Sequence, residues 1–300
     1  MTSSRSPQFG RFARVRVAND ATAIGTDGIS FESEITGLRI QFKVEKTPGM
    51  VPNTADISVY NLADSSRRRL KNAWALTTLE AGRPDEFGLV FKGNARTIDH
   101  VRRGADWVTR IQCGDGETAF RFSPANQSFK AGTPFKDAAS YLAKQLKGVD
   151  VSAFLSKIAS GEVAGAFQQY VNGVTLFGNA GEELERMMAA AGYQLSIQDH
   201  ELTALNLTQT SAVVVKLSPT TGLIGSPEHG APERSGLPSV LKAKCLLQPR
   251  IRPGDRVQFE GIHDDRVTGD YRAIKVTHTG DTHGQEFYTD LELRPAQAAK

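Results

Sequence analysis

Cysteine, tryptophan and tyrosine are all scarce: two, two and six among 300 residues. Cys113 and Cys245 cannot build a disulfide framework or a cysteine-rich zinc site, and the count suits a chain made and folded in a reducing cytoplasm. No apolar run approaches the ~18 residues that a membrane-spanning helix needs. The opening Met1–Pro7 has no apolar stretch, so neither a secretory signal nor membrane insertion is expected. A Gly-Xaa-Ser-Xaa-Gly elbow, a Walker loop, a dinucleotide fingerprint and a His-Glu-Xaa-Xaa-His helix are all missing. Charge of one sign is missing too. Lys and Arg number 36 against 33 Asp and Glu, a net +3, with no polybasic arm to grip phosphate.

What remains is an ordinary globular composition, 39% hydrophobic and 23% charged, enough for a substantial core. Residues 1–123 read as mostly strand. Leu38, Ile40, Phe42 and Val44 alternate with Arg39, Gln41, Lys43 and Glu45, the period of a half-buried strand. After a Thr47-Pro48-Gly49 turn, Ala55–Tyr60 resumes β character, and Asp64 is expected to cap a short helix with Leu70 and Trp74 on its apolar face. Gly88–Gly93 and Trp107–Cys113 are two further strands, the second closed by Gly114-Asp115-Gly116.

Residues 124–208 change period. Thr133 should cap a helix with Pro134 at its first position, and Phe135, Ala138, Leu142 and Leu146 share one face. Asn179 and Glu182 form a capping-box pair for a second helix, which Gly192 ends. Tyr193, Leu195 and Ile197 then alternate, Asp199-His200-Glu201 turns, and Leu202–Leu207 returns. The segment is therefore a small α+β unit. Residues 218–239 hold four prolines and four glycines and read as the longest irregular segment, either an ordered excursion or a mobile loop. Beyond them, Lys242–Leu247, Val257–Phe259, Tyr271–His278 and Phe287–Leu293 are short strands between turns, the pattern of a small barrel.

Several residues invite a chemical reading. His278, Asp281 and His283 lie within six residues but lack a further ligand at metal-site spacing, so a polar hairpin loop is expected. Asp199-His200-Glu201 falls between two alternating runs and reads as a turn rather than an acid/base group. Cys113 has no neighbouring base and reads as a buried structural thiol. Arg67-Arg68-Arg69 with Lys71 is the densest basic run. Without interleaved aromatics it reads as a solvated or interface helix face rather than a phosphate site. No catalytic, cofactor-binding or metal-ligating residue is expected.

The C-terminal succession Arg250–Val257, Gly269–Asp281 and Phe287–Leu293 resembles the closing barrel of tailed-bacteriophage baseplate hub proteins. Thr221–Pro227 resembles the segment leading into it. Asn53–Leu62, Phe91-Lys92-Gly93 and Asp106–Gly116 are similar to the first β domain of that family, and Asn179–Leu205 fits its middle unit. Each stretch alone is turn and strand chemistry; the order across nearly the whole chain is what is specific.

The resemblance implies a mainly β, overall α+β protein in three domains: residues 1–123 and 209–300 as barrel-like tube domains of an inner ring, and 124–208 as a peripheral α+β domain. It implies a structural, non-enzymatic virion protein of the tail baseplate, assembled in the host bacterial cytoplasm. The implied partners are two further copies in a homotrimer, the tail tube protein, the spike or tip protein, the tape measure protein and other baseplate proteins. DNA would pass through the lumen without specific binding, and no cofactor is implied. Two other classes stay open on the residues themselves. One is an oligosaccharide- or nucleic-acid-binding protein using the C-terminal barrel as an OB-type platform, for which 6 Tyr and 2 Trp are a thin supply. The other is a tail-associated hydrolase, which needs two carboxylates in a cleft or a metal.

Overall fold

The computed structural model describes residues 10–18, 35–70, 75–163, 165–166, 168–206, 214–230, 240–261, 267 and 269–296. Met1–Pro7, Lys71, Trp74, Leu207 and the later part of the Pro/Gly-rich segment (Pro232, Gly236, Pro238) lie outside them. The first part of the chain gives β1 (Phe12–Ala18), β2 (Ile40–Lys46), β3 (Thr54–Tyr60), α1 (Asp64–Arg69), β4 (Leu76–Arg83), β5 (Glu86–Arg103) and β6 (Asp106–Gly114). Next come α2 (Glu117–Arg121), β7 (Pro124–Phe129), α3 (Phe135–Gln145), α4 (Ser152–Ser160), β8 (Val174–Asn179), α5 (Ala180–Ala190), β9 (Tyr193–Gln198) and β10 (Glu201–Asn206). The last part holds β11 (Val214–Leu217), β12 (Leu223–His229), β13 (Leu241–Leu246), β14 (Arg256–Phe259), β15 (Asp270–Asp281) and β16 (Phe287–Pro295). The mainly β, α+β class follows directly.

The chain divides into two compact units. The sheet unit comprises Met1–Lys46, Thr54–Gly114 and Ser211–Ala296. Its twelve strands run in the order β1-β4-β5-β6-β3-β2-β15-β16-β13-β12, with β11 on β14 and β14 on β15. Every ladder is antiparallel except β11 on β14. β15 is the seam. Its first residues pair with β14 and its last six, Val276–Asp281, with β2, so the N- and C-terminal β segments continue each other in one sheet. Among the described residues no ladder closes either part into a barrel.

Period-two alternation explains the core. Ile40, Phe42 and Val44 bury one face of β2, and Ala55, Ile57 and Val59 do so on β3. Register lines up Gly280, Phe42, Ile57, Ile111 and Ile98 in one cross-strand row over five strands. At its end only glycine fits: a Cβ on Gly280 would stand 2.2 Å from the Phe42 ring. That ring packs edge-on against Phe287 with centroids 6.1 Å apart. A second cluster in this unit is built on Leu241, Cys245, Val257, Tyr271, Ala273, Val276 and Leu293.

The helical unit comprises Thr47–Asn53, Asp115–Thr210 and Gln297–Lys300. Leu142, Phe154, Ile158, Leu176, Leu184 and Met188 fill its core, with Ala138, Ala139, Ala143 and Ala180 between them. Asn179 caps α5 as its sequence dictates, its side-chain oxygen accepting from the N–H groups of Gly181 and Glu182. The β9–β10 hairpin turns through Asp199 and His200 at φ 56° and 70°. Two successive left-handed residues make the tight turn whose twist matches a two-residue hairpin.

Three expectations are corrected. Asp64 is the first residue of α1, not its cap; Ala63 holds that position, and the Asp64 carboxylate pairs instead with Arg67 and Arg68. Pro134 is the N-cap of α3, and the Thr133 hydroxyl donates back to the Lys130 carbonyl. The strand expected at Gly88–Gly93 is present and runs on as the 18-residue β5. Part of the Pro/Gly-rich segment is strand rather than irregular, since β12 pairs with β13 across a bulge between Ile224 and Glu228. β1, β4 and α4 carried no signal that singled them out.

Candidate functional site

His278, Asp281 and His283 do not converge on a common point, and only His283 sits in the turn. His278 lies on β15 between Val276 and Gly280 in the alternation, fully buried, with Nδ1 2.9 Å from the Thr289 hydroxyl. Burial, with the nearby Lys46 ammonium adding to it, pushes its pKa down to about 3, so it is a neutral core imidazole. Asp281 belongs to a different cluster. Arg39 donates to it from Nε and Nη2 at 3.2 and 2.8 Å, Gln41 at 2.8 Å and the His283 N–H at 3.0 Å. Burial opposes its ionisation, but these four donors outweigh it and hold the carboxyl well below the usual range. Tyr60 extends the cluster, its hydroxyl donating to Gln41 at 2.6 Å while Arg39 lies over its ring at 4.8 Å. The cluster ties β2 to the end of β15, and its carboxylate oxygens are spoken for.

Asp199-His200-Glu201 is the turn that its setting implied, and the structure supplies a partner the local sequence did not. The buried Asp115 carboxylate accepts from both the His200 N–H (2.9 Å) and the Nδ1 of the same residue (3.0 Å) through one oxygen. Such a pair orients an imidazole in hydrolases, where a nucleophile completes the set. Here it pins a strained two-residue turn to the loop before α2. Nearby, Asn53 donates to the Ile197 carbonyl and to Gln198 at 2.9 and 3.1 Å. Cys113 and Cys245 are buried, and burial raises both thiols to about 12, which leaves them protonated and unreactive. Among the described residues no group of three His, Cys, Asp or Glu is placed to hold a metal ion.

One place in the sheet unit brings arginines and an aromatic together at the surface. β5 and β6 run on beyond the last β4 partner, Asn94, and residues 101–107 of this hairpin are exposed. Trp107, 38% exposed, faces Arg102 across the ladder, and Arg67 of α1 stacks 4.2 Å over its ring. Asn61, at φ 54°, fastens α1 to the tip by accepting from the Trp107 N–H and donating to Asp106. The arginine run thus has the aromatic neighbour that sequence spacing could not show, 38 residues or more away along the chain. The sheet's terminal strands are the other open feature. β1 pairs with β4 alone among the named strands and β12 with β13 alone, the latter blunted by Pro227 and its bulge.

A family model described as Baseplate hub gp41 matches residues 26–293. No curated protein matches the chain by sequence. Among solved structures, the 43 kDa tail protein of prophage MuSo2 from Shewanella oneidensis superposes with a TM-score of 0.64 at 9% identity, over 96% of this chain and 100% of that one. The tail protein from Neisseria meningitidis MC58 gives 0.58 at 11% identity, over 95% and 96%. The Escherichia coli c3393 protein, a type VI secretion component described as similar to the T4 tail proteins gp27 and gp5, gives 0.55 at 10% identity, over 94% and 76%. At these identities the structures share the fold.

Proposed function

The chain belongs to the Baseplate hub gp41 family, the structural hub proteins of phage tail baseplates, and from that premise we propose that it is the trimeric symmetry adaptor between tail tube and spike. A tube of six-fold symmetry meeting a three-fold tip needs six similar surfaces from three chains. The observation that supports the reading is the β2–β15 seam, where one sheet joins an N-terminal and a C-terminal β segment side by side; we take the two segments as two β modules per chain. Three copies present six.

Closed head-to-tail packing around the axis covers terminal strands such as β1 and β12, which would otherwise template aggregation. In this reading residues 1–123 and 209–300 build the inner ring and 124–208 lies outside it. The tube protein sits above, the spike or tip below, and the tape measure protein ends in or over the lumen. DNA leaves through that lumen without being gripped, because phosphate contacts would slow its passage. The protein catalyses nothing and takes no cofactor; its buried polar groups fasten strands and turns. It is made in the host cytoplasm and works in the virion baseplate.

The test is stoichiometry. Co-expressed with its tube and spike proteins, the chain should copurify as three copies against six tube subunits by native mass spectrometry. A one-to-one ratio with the tube protein would rule the adaptor out.

A further inference from the structure

The hub reading leaves unsaid which surfaces join one copy to the next, and the exposed chemistry of this chain offers a complementary pair. Residues 64–69 and 101–107 carry five arginines (Arg67, Arg68, Arg69, Arg102, Arg103) and two carboxylates, Asp64 and Asp106, and Arg67 and Arg102 flank the exposed Trp107. An exposed tryptophan framed by arginines is the composition of an interface anchor. The carboxylates argue against nucleic acid: Asp64 already pairs with Arg67 and Arg68 at 3.2 and 2.5 Å. One ring face of Trp107 is taken by Arg67, which leaves a poor base-stacking platform.

The helical unit carries the opposite pattern. Phe177 on β8 and Val171 before it are 74% and 83% exposed, unusual for residues of their size. Within eight residues of Phe177 follow Glu182, Glu183 and Glu185 on α5, and Arg186 of the same helix pairs with Glu183. This stretch of the chain exposes apolar and acidic side chains within fifteen residues, the chemistry that complements the cationic, aromatic tip.

We propose that the β5–β6 tip and α1 of one protomer dock on the Phe177–Glu185 surface of a second copy of this chain, as a repeating head-to-tail contact of the ring. A contact between two different patches of one chain is heterologous, and such contacts generate rings when the rotation closes. The inference rests on the hub reading for its second copy, and the experiment separates the two. In tails carrying Ala105→p-benzoylphenylalanine, ultraviolet cross-links should join residue 105 to residues 171–185 of another copy. Cross-links to tube or spike protein, to DNA, to another segment, or none at all would overturn the contact and leave the hub standing. Absence of the chain from tails would overturn the hub itself. Arg102→Glu with Arg103→Glu should cut incorporation into tails at least tenfold, as should Glu182→Lys with Glu185→Lys. The two pairs combined should recover incorporation to within about threefold of the parent. That recovery also guards against misfolding, because a misfolded tip would not be rescued by changes on α5. Failure to recover would refute the pairing.

Discussion

The sheet unit and the helical unit hold themselves together in different ways. In the sheet unit, residues about 240 apart bond directly: Arg39 and Gln41 to Asp281, Ile40 to Thr282, Phe42 against Gly280 and Phe287. In the helical unit most of the core lies on one continuous stretch, with a capped helix and a hairpin that local residues specify. The first is a seam between distant segments and the second a local assembly. Buried polar groups follow the same division: the seam is locked by Asp281 and carries His278 beside it, whereas the helical unit uses its buried Asp115 to hold a single turn.

Core truncation should separate the units most strongly. Phe91→Ala in the sheet unit and Phe154→Ala in the helical unit each remove a fully buried ring, at a cost of about 3–5 kcal/mol. Calorimetry should show each change lowering the transition of its own unit. Equal effects of both on a single transition would mean that the two units unfold together and would weaken the comparison.

Acid should act first on the seam. The His278 pKa is about 3 in the folded chain and 6.5 ordinarily, so below pH 6.5 the unfolded chain takes up a proton that the native one does not. Stability is full above pH 6.5 and falls progressively toward pH 3, by about 3 kcal/mol at pH 4. Asp281 acts the same way only below its ordinary 3.8, where the native carboxylate stays ionised and the unfolded one is protonated. Urea midpoints at pH 7, 5 and 4 check this. His278→Leu should flatten the slope between pH 6.5 and 4, and an unchanged slope would assign it elsewhere.

Overpacking the seam comes next. Gly280→Ala sets a methyl against the Phe42 ring and should cost about 1–3 kcal/mol. Phe42→Leu in the same chain should recover part of that loss, which a double-mutant cycle of melting temperatures would register. The smallest effect belongs to the helical unit. Asn179→Ala removes the α5 cap and should cost ~1 kcal/mol, with Asn179→Asp nearly neutral by the same melting measurement.

The local unit was also the more legible one in the sequence. Asn179 with Glu182 and Gly192 marked both ends of α5, and alternation at Tyr193, Leu195 and Ile197 marked β9. In the sheet unit the alternating strands could be read, but not that β2 pairs with β15, because register between residues about 235 apart leaves no local trace. β4 was hidden by Thr77 and Thr78 in a run without clean alternation, and α4 by a start at Val151 without a side-chain cap. His278 could have been placed: it keeps the period of Tyr271, Ala273, Val276 and Gly280 once the bulge at Ile274 is allowed for. Asp115 and Trp107 could not, since what matters in each is a partner far along the chain, His200 for one and Arg67 for the other.

The central claim is that one chain supplies two β modules to a three-fold ring, and a cryo-EM reconstruction of the tail end tests it most directly. Three copies should surround the axis, with residues 1–123 and 209–300 alternating as six positions of the inner wall and residues 124–208 outside. Two-fold or six-fold placement of the chain, or the 124–208 segment lining the lumen, would contradict it.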